Sequence, residues 1–483
     1  MRTSAVLPFL LLAACGDEGN QRPDAGLRAD ARVSDAAVDA TIDAAIDAPP
    51  DAAPDAPPDA PPPPSNATRV WAYGDFLVNN TNQAGAFVDS PTTPATLPFG
   101  PMAAPPLVPS ATAVEVFDAA GGKIAYVVGG ALFVANADGT NPVMVVAAGA
   151  TAAVQITAVA LSPNGQKVAF TRDLTIDNGY DLYVAPTTAG ATAVKVSPDR
   201  AGTPATPADQ DVNGNVTWSA NSQYLAFTAD LTANNVTQAY VVDTNAATPT
   251  AVELITRDEI ATQTGAQGVS AAVQFDSANN LYFRARTVLN STQFILYKAT
   301  VAGAASRTVV ALPARTDASV PDAGAFHVAG DTIYFSTDAP TLGAYDVYKQ
   351  SLTATDPATR LTMLTGPGNP TFSAPMWLSP DGSKLAVVAD FVSDGDNEPF
   401  VINTDGTGMR RLVDIPANCQ DCDTVDLAWT VDGATLYAVG DLATGNDGKL
   451  WKLNAAMTDQ TPTLAIDIPT SGDVFDVWAV PAP

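Results

Sequence analysis

Met376-Trp377-Leu378-Ser379-Pro380-Asp381-Gly382-Ser383-Lys384-Leu385-Ala386-Val387-Val388 is followed, after an acidic loop, by Pro399-Phe400-Val401-Ile402, Asn403-Thr404-Asp405-Gly406 and Arg411-Leu412-Val413. Four short apolar runs are separated by three connections. Pro380 presets the backbone for the second position of a turn, Asp381 supplies a turn side chain, and Gly382 is free to take positive φ. Short apolar runs joined by such turns predict a meander of antiparallel strands.

The same phrase recurs along the chain. Leu161-Ser162-Pro163-Asn164-Gly165 precedes Val168-Ala169-Phe170 and Asp181-Leu182-Tyr183-Val184, and Trp218-Ser219 precedes Leu225-Ala226-Phe227. Trp429-Thr430-Val431-Asp432-Gly433 precedes Leu436-Tyr437-Ala438, with weaker copies at Leu281-Tyr282-Phe283 and Ile333-Tyr334-Phe335. The copies centre on Trp71, Ala125, Ala169, Ala226, Tyr282, Tyr334, Ala386 and Tyr437, and all but one follow their neighbour after 51 to 57 residues. Several strands per unit at such a period predict an all-β, radially repeated protein: a single β-propeller of about eight four-stranded blades. Seven blades is the alternative, if the short spacing from Ala125 to Ala169 marks a degenerate unit.

The first unit, Val70-Trp71-Ala72-Tyr73 with Ala86-Phe87-Val88, has no inner strand ahead of it, whereas Asp473-Val474-Phe475-Asp476-Val477-Trp478-Ala479-Val480 is a spare strand after the last unit. The C-terminal strand is therefore expected to join the first blade and close the ring, which removes an exposed sheet edge. The propeller domain spans residues 66–483.

These recurring residues resemble the WD40-like (PD40) β-propeller repeats of the TolB family, whose blades carry W-S-P-D-G ahead of an I-A-F strand and an I-Y-V strand. The resemblance covers about residues 68 to 480 and implies a propeller. Such propellers serve as translocation-linked scaffolds, as binding proteins and as companion domains of prolyl-type peptidases, so the resemblance does not select a function.

At the N-terminus, Arg2 precedes an apolar run from Ala5 to Leu12 that ends in Leu12-Ala13-Ala14-Cys15. The run is too short for a permanent membrane span and finishes on small residues, as a cleaved secretory signal does. LAAC resembles the bacterial lipobox, which implies a signal peptide over residues 1–14 and lipidation of Cys15. With Gly16 rather than Asp following, the resemblance implies a cell-envelope lipoprotein of the outer membrane, on its periplasmic or surface face. Residues 15–65 then form a disordered tether. From Asp35 to Asp59 an aspartate falls at every fourth position among Ala and Pro, a composition that cannot offset the entropy of ordering. Its proline-rich half favours an extended form that reaches on the order of 100 Å.

The chain carries 51 acidic and 23 basic residues, a formal charge of −28. An acidic surface repels phosphate backbones and anionic headgroups, so no nucleic-acid partner is expected and the lipid is the expected membrane contact. The expected partner is an envelope protein or peptidoglycan, bound by a monomer.

Candidate site residues are few. Asp75, Asp173, Asp230, Asp338, Asp390 and Asp441 each stand four residues past a unit centre, forming a ring on one rim. They read either as turn caps for backbone NH groups or as a rim for a cation or cationic ligand. Asp394, Asp396 and Glu398 make an oxygen-rich loop that suits Ca²⁺ in residue type without EF-hand spacing, or else a solvated acidic loop. No other cofactor is implied. Cys419 and Cys422 form C-x-x-C, for which a local disulfide is the expected outcome outside the cytoplasm. The single histidine, His327, reads as structural, at the edge ahead of the strand of Ile333. There is no G-x-S-x-G nucleophile elbow and no helical half to hold one. The favoured reading is a non-catalytic binding or scaffold module; the alternative is an envelope lyase or glycosidase using carboxylates in the channel.

Overall fold

The computed structural model describes residues 68–74, 83–89 and 114–481, less 150–154, 174–178, 201–210, 233–235, 261–267, 288–292, 318, 342, 355, 363–375, 390–396, 416–423, 443–447 and 466–473. These residues form eight antiparallel sheets. The first combines β1 (Thr68–Gly74) and β2 (Gln83–Asp89) with a strand from the far end of the chain. The second holds β3 (Val114–Ala120), β4 (Lys123–Val128), β5 (Ala131–Asn136) and β6 (Val143–Val146), and the third β7 (Ile156–Leu161), β8 (Lys167–Arg172), β9 (Asp181–Pro186) and β10 (Val194–Lys195). The fourth has β11 (Val212–Trp218), β12 (Tyr224–Ala229), β13 (Gln238–Asp243) and β14 (Val252–Glu253); the fifth has β15 (Val269–Phe275), β16 (Leu281–Ala285), β17 (Ile295–Thr300) and β18 (Gly303–Val309). The sixth is β19 (Ala323–Ala329), β20 (Thr332–Thr341), β21 (Ala344–Ser351) and β22 (Thr359–Arg360). The seventh is β23 (Met376–Leu378), β24 (Lys384–Ala389), β25 (Glu398–Asn403) and β26 (Arg410–Arg411). The eighth is β27 (Thr424–Trp429), β28 (Thr435–Gly440), β29 (Lys449–Asn454) and β30 (Thr463–Leu464), after which β31 (Val474–Pro481) returns to the first.

The sheets are blades of one ring. First strands of successive blades touch in turn, β3 with β7, β7 with β11, β11 with β15, β15 with β19, β19 with β23, β23 with β27, β27 with β31, and β31 with β3 again. β31 pairs antiparallel with β1, Trp478 opposite Trp71, so the C-terminus supplies the inner strand that the first blade lacks. Eight blades is therefore the count. The short spacing after Ala125 has a local cause: β4 and β5 are joined by Gly129 and Gly130 alone, both at positive φ, where the next blade uses the eight residues 173–180.

Eight apolar clusters hold the ring, each lying between two adjacent blades. Every blade is thus covered on both faces, which is why second strands such as Leu225-Ala226-Phe227 are buried without alternation. The repeated aromatic of the second strand meets that of the third directly across the ladder: Phe170 opposite Tyr183, Phe227 opposite Tyr240, Phe283 opposite Tyr297, Phe335 opposite Tyr348. These rings stack with centroids 5.2 to 5.7 Å apart, a geometry worth about 1 kcal/mol per pair beyond area burial.

The serine of the recurring phrase organises the turn between first and second strands. Ser379 Oγ donates to Asp381 Oδ1 at 2.6 Å and accepts the Lys384 N–H at 2.9 Å, while Ser383 N–H donates to Asp381 Oδ1 at 3.0 Å. Ser162 with Asn164, Ser219 with Asn221 and Thr430 with Asp432 repeat the arrangement. Burial pushes the Asp381 carboxyl up, but the bonds from Ser379 and Ser383 outweigh it and hold it down at about 2. Gly165 sits at φ +65°, and a Cβ there would come within 2.5 Å of Gly121 O, in the corresponding turn of the neighbouring blade.

Candidate functional site

Of the rim aspartates, Asp173, Asp230 and Asp441 follow directly on a second strand and Asp338 lies within one, and the bonds of Asp173, Asp230 and Asp338 reach beyond their own turn. Because first and second strands are antiparallel, the end of one stands beside the start of the other. Asp173 Oδ1 accepts the N–H of Gln155, just ahead of β7, at 2.6 Å, and the Asp173 N–H returns a longer bond to Gln155 O. Asp230 Oδ1 accepts the N–H of Asp211 at 2.6 Å while its own N–H donates to Asp211 O at 3.0 Å. Asp338 Oδ1 accepts the N–H of Asp322 at 2.7 Å. In these three blades the carboxylate clamps the start of the inner strand and satisfies a backbone donor that has no ladder partner.

The clamp continues into the preceding blade. Asp211 Oδ1 accepts the Tyr180 N–H at 2.7 Å and Asp322 Oδ1 the Phe294 N–H at 2.6 Å, both just ahead of a third strand. Backbone bonds run beside them, Val212 N–H to Tyr180 O and Ala323 N–H to Phe294 O, with the same bond at Val269 to Thr237, Thr424 to Asn397 and Val474 to Gly448. Asp338 carries the largest load: its Oδ2 also accepts Gly343 N–H at 3.2 Å and Arg315 Nη1 at 2.5 Å. The Arg315 guanidinium is buried, and its Nε and Nη2 donate to both oxygens of Asp317.

The other predicted residues divide. Asp441 is buried at the end of β28, in the same rim position. Glu398 is not in an acidic loop; it is the first residue of β25, fully buried, and accepts Arg411 Nη1 at 2.9 Å. That places it in the blade interior. Asp75, Asp390, Asp394, Asp396, Cys15, Cys419 and Cys422 lie outside the described residues. Among the described residues, no three His, Cys, Asp or Glu side chains come together as a metal-holding group. Nor is any helix long and apolar enough to cross a membrane.

His327 lies ahead of the strand of Ile333, as expected, and inside β19. It is buried and pairs in register with Tyr334. On either side of it Gln274 of the preceding blade is bonded, Nε2 donating to Phe326 O and Oε1 accepting the Val328 N–H, both at 2.8 Å. Side chains stitch inner strands elsewhere too: Trp218 Nε1 donates to Ala160 O and Trp429 Nε1 to Trp377 O, both at 3.0 Å, and Asp118 Oδ2 accepts the Leu161 N–H at 2.7 Å.

One column of the repeat breaks its own rule. In the fifth blade the position of the rim aspartate, four past Tyr282, is Arg286. Its backbone keeps half of the clamp, N–H to Gly268 O at 3.1 Å, but its guanidinium lies over the ring of Phe294 at 4.3 Å. Arg284, two residues earlier on the same side of the strand, lies over the same ring at 5.0 Å. The signal for this site was present in the sequence only as a cation in a column that is aspartate in six of the eight units.

This is the architecture of a closed eight-bladed β-propeller. No family model matches the chain, and no curated protein matches it. Among solved structures it is similar to a prolyl endopeptidase, at 14% identity and a TM-score of 0.51 over 75% of this chain and 50% of that one. It is also similar to the β-propeller domain of the trilobed protease from Pyrococcus furiosus, at 11% identity and a TM-score of 0.44 over 74% of this chain and 98% of the other. The chain spans about half the length of the prolyl endopeptidase it matches, and the likeness concerns the fold.

Proposed function

We propose that this protein is a lipid-anchored envelope propeller that binds a protein or cell-wall partner through one face of its ring and performs no catalysis itself. The observation that carries this reading is the placement of the chain end relative to the loops. Thr68 begins β1 at the rim of the tight turns, where its Oγ1 accepts the Val431 N–H of the eighth-blade turn at 2.9 Å. A tether ending there holds that rim toward the membrane and directs the opposite rim, with the long connections, outward.

The rim carboxylates support binding rather than acid chemistry. In Asp173, Asp230 and Asp338 an oxygen is committed to a backbone donor of the inner strand, and a general acid or base needs its oxygen free for the substrate. Their function is to keep the platform rigid. The TolB-like and lipobox resemblances point the same way, toward an exported display module.

The test is cross-linking of the anchored protein in intact cells, with captured species identified by mass spectrometry and a Cys15→Ser form as the untethered control. A dominant protein or glycan partner captured only by the anchored form is the expected result. Lipid-free wild-type protein, or equal capture by both forms, would overturn the anchored reading.

A further inference from the structure

The guanidinium that interrupts the acidic rim has the surroundings of a ligand anchor. Arg286 and Arg284 converge on Phe294, which itself stands at the joint between the fifth and sixth blades because its N–H donates to Asp322. Arg284 is held in place by Nη1 to Ala323 O at 3.3 Å and Nη2 to Ser270 Oγ at 3.4 Å. Arg286 forms no ion pair among the described residues, and its buried Nε has no acceptor. Two cations drawn to one ring repel each other, and in a chain of net charge −28 the lack of an ion-pairing carboxylate for Arg286 among the described residues is a departure that needs a cause.

The neighbouring blade provides a wall. The hairpin of β20 and β21 is the longest among the described residues, with strands of ten and eight residues, and it lies on the loop-bearing rim. Tyr345 on that hairpin donates its hydroxyl to Asp322 Oδ2 and lies within electrostatic reach of Arg284. Gly268 opposite sits at φ +60°, and any Cβ there would meet Thr237 O at 2.1 Å, so the backbone beneath Arg286 admits no side chain to cover or neutralise it.

We propose that Arg286, with Phe294 as its platform and Arg284 beside it, is a subsite for a carboxylate group of the partner. A planar guanidinium with free donors matches a carboxylate in two parallel bonds, and an aromatic ring beneath it fixes the fork. The acidic remainder of the surface repels other anions, so the site selects a ligand whose negative charge is local rather than spread along a polymer. This deepens the binding reading above and rests on it.

The carboxylate could belong to a peptide C-terminus or to a uronic sugar, and the test separates them. Full-length protein is titrated by calorimetry with acetyl-Ala-Ala-Ala carrying a free C-terminus, with its C-terminal amide, and with tri-galacturonate. The expected result is binding of one acid, about tenfold weaker binding of the peptide amide if the peptide is the ligand, and about tenfold loss for either acid in Arg286→Gln. Arg286→Lys keeps the charge without the fork and is expected to fall between. Thermal melting of both variants near wild type shows that the ring is intact. Equal binding of acid and amide together with no uronate binding, unchanged acid binding in a folded Arg286→Gln, or no binding of either acid would overturn the subsite. Cross-linking that captures a partner equally well with Arg286→Gln leaves the binding module standing and removes only this inference.

Discussion

On one rim of the ring the strand ends are joined by connections of two to eight residues; on the other, apart from 129–130 and 342–343, the connections run from eight to sixteen residues, with 90–113 longer still. The tight rim is written in local chemistry. In four of its turns a Ser or Thr hydroxyl, an Asx carboxylate or amide two residues on, and a positive-φ residue (Gly165, Ser222, Gly382 or Gly433) close the turn within five residues. The long rim is held by bonds between residues 16 to 31 apart, Asp338 to Asp322 and Asp211 to Tyr180 among them. The difference teaches that one rim is specified turn by turn while the other exists only once the ring has formed.

The largest effect should come from removing what both rims depend on. A chain ending at Gly472 loses β31, exposes Val70 and Ala72 of the eighth-to-first joint, and is expected to lose its single cooperative thermal transition, as read by circular dichroism. Next comes Trp71→Ala, which removes a fully buried indole packed on Phe117 at 5.2 Å and bonded to Ala137 O. It is expected to cost about 3–5 kcal/mol in urea unfolding; a loss below about 1 kcal/mol would show that the first blade is dispensable to the ring.

Gly165→Ala sharpens the comparison on the tight rim. The φ of +65° and the 2.5 Å approach to Gly121 O predict a cost of about 1–3 kcal/mol, with no change in partner binding. Asp230→Ala tests the long rim and is expected to cost about 1–2 kcal/mol, the loss of one bond to an otherwise unpaired N–H. If Asp230→Ala destabilised more than Trp71→Ala, the rim clamps rather than the inter-blade cores would be holding the ring.

The smallest effect is a titration. Glu259 is gripped by the Arg307 guanidinium, with Nη1 donating to Oε2 at 2.8 Å, and by the Thr256 N–H, which hold its carboxyl at about 2 against an ordinary 4.5. A carboxyl depressed in the fold contributes stability above the unfolded value and loses it as pH falls through the folded one. The difference in urea midpoint between wild type and Glu259→Gln should therefore be constant above pH 5 and shrink toward pH 2.

The tight rim was legible in the sequence because Ser379-Pro380-Asp381-Gly382 states its geometry within four residues. Ring closure was legible for a related reason: an unpaired β31 and a blade without an inner strand can be matched by pattern alone. The rim aspartates were legible as a column but not as clamps, since their partners Gln155, Asp211 and Asp322 carry no distinctive side-chain signature and contribute a backbone N–H. Glu398 reads in the sequence as one acidic loop with Asp394 and Asp396, whereas β25 begins at Glu398 and its carboxylate is buried against Arg411. Arg286 is not legible from the agreement among repeats, because its meaning lies in disagreement with Asp173, Asp230 and Asp338.

The closing blade also sets how the molecule carries a load. β1 lies between β2 and β31, with seven register pairs on each side and both neighbours antiparallel to it. A pull on Thr68 along the strand loads both ladders in shear, so many hydrogen bonds resist at once instead of opening one after another. Under such a load the ring stays shut for as long as those two ladders hold.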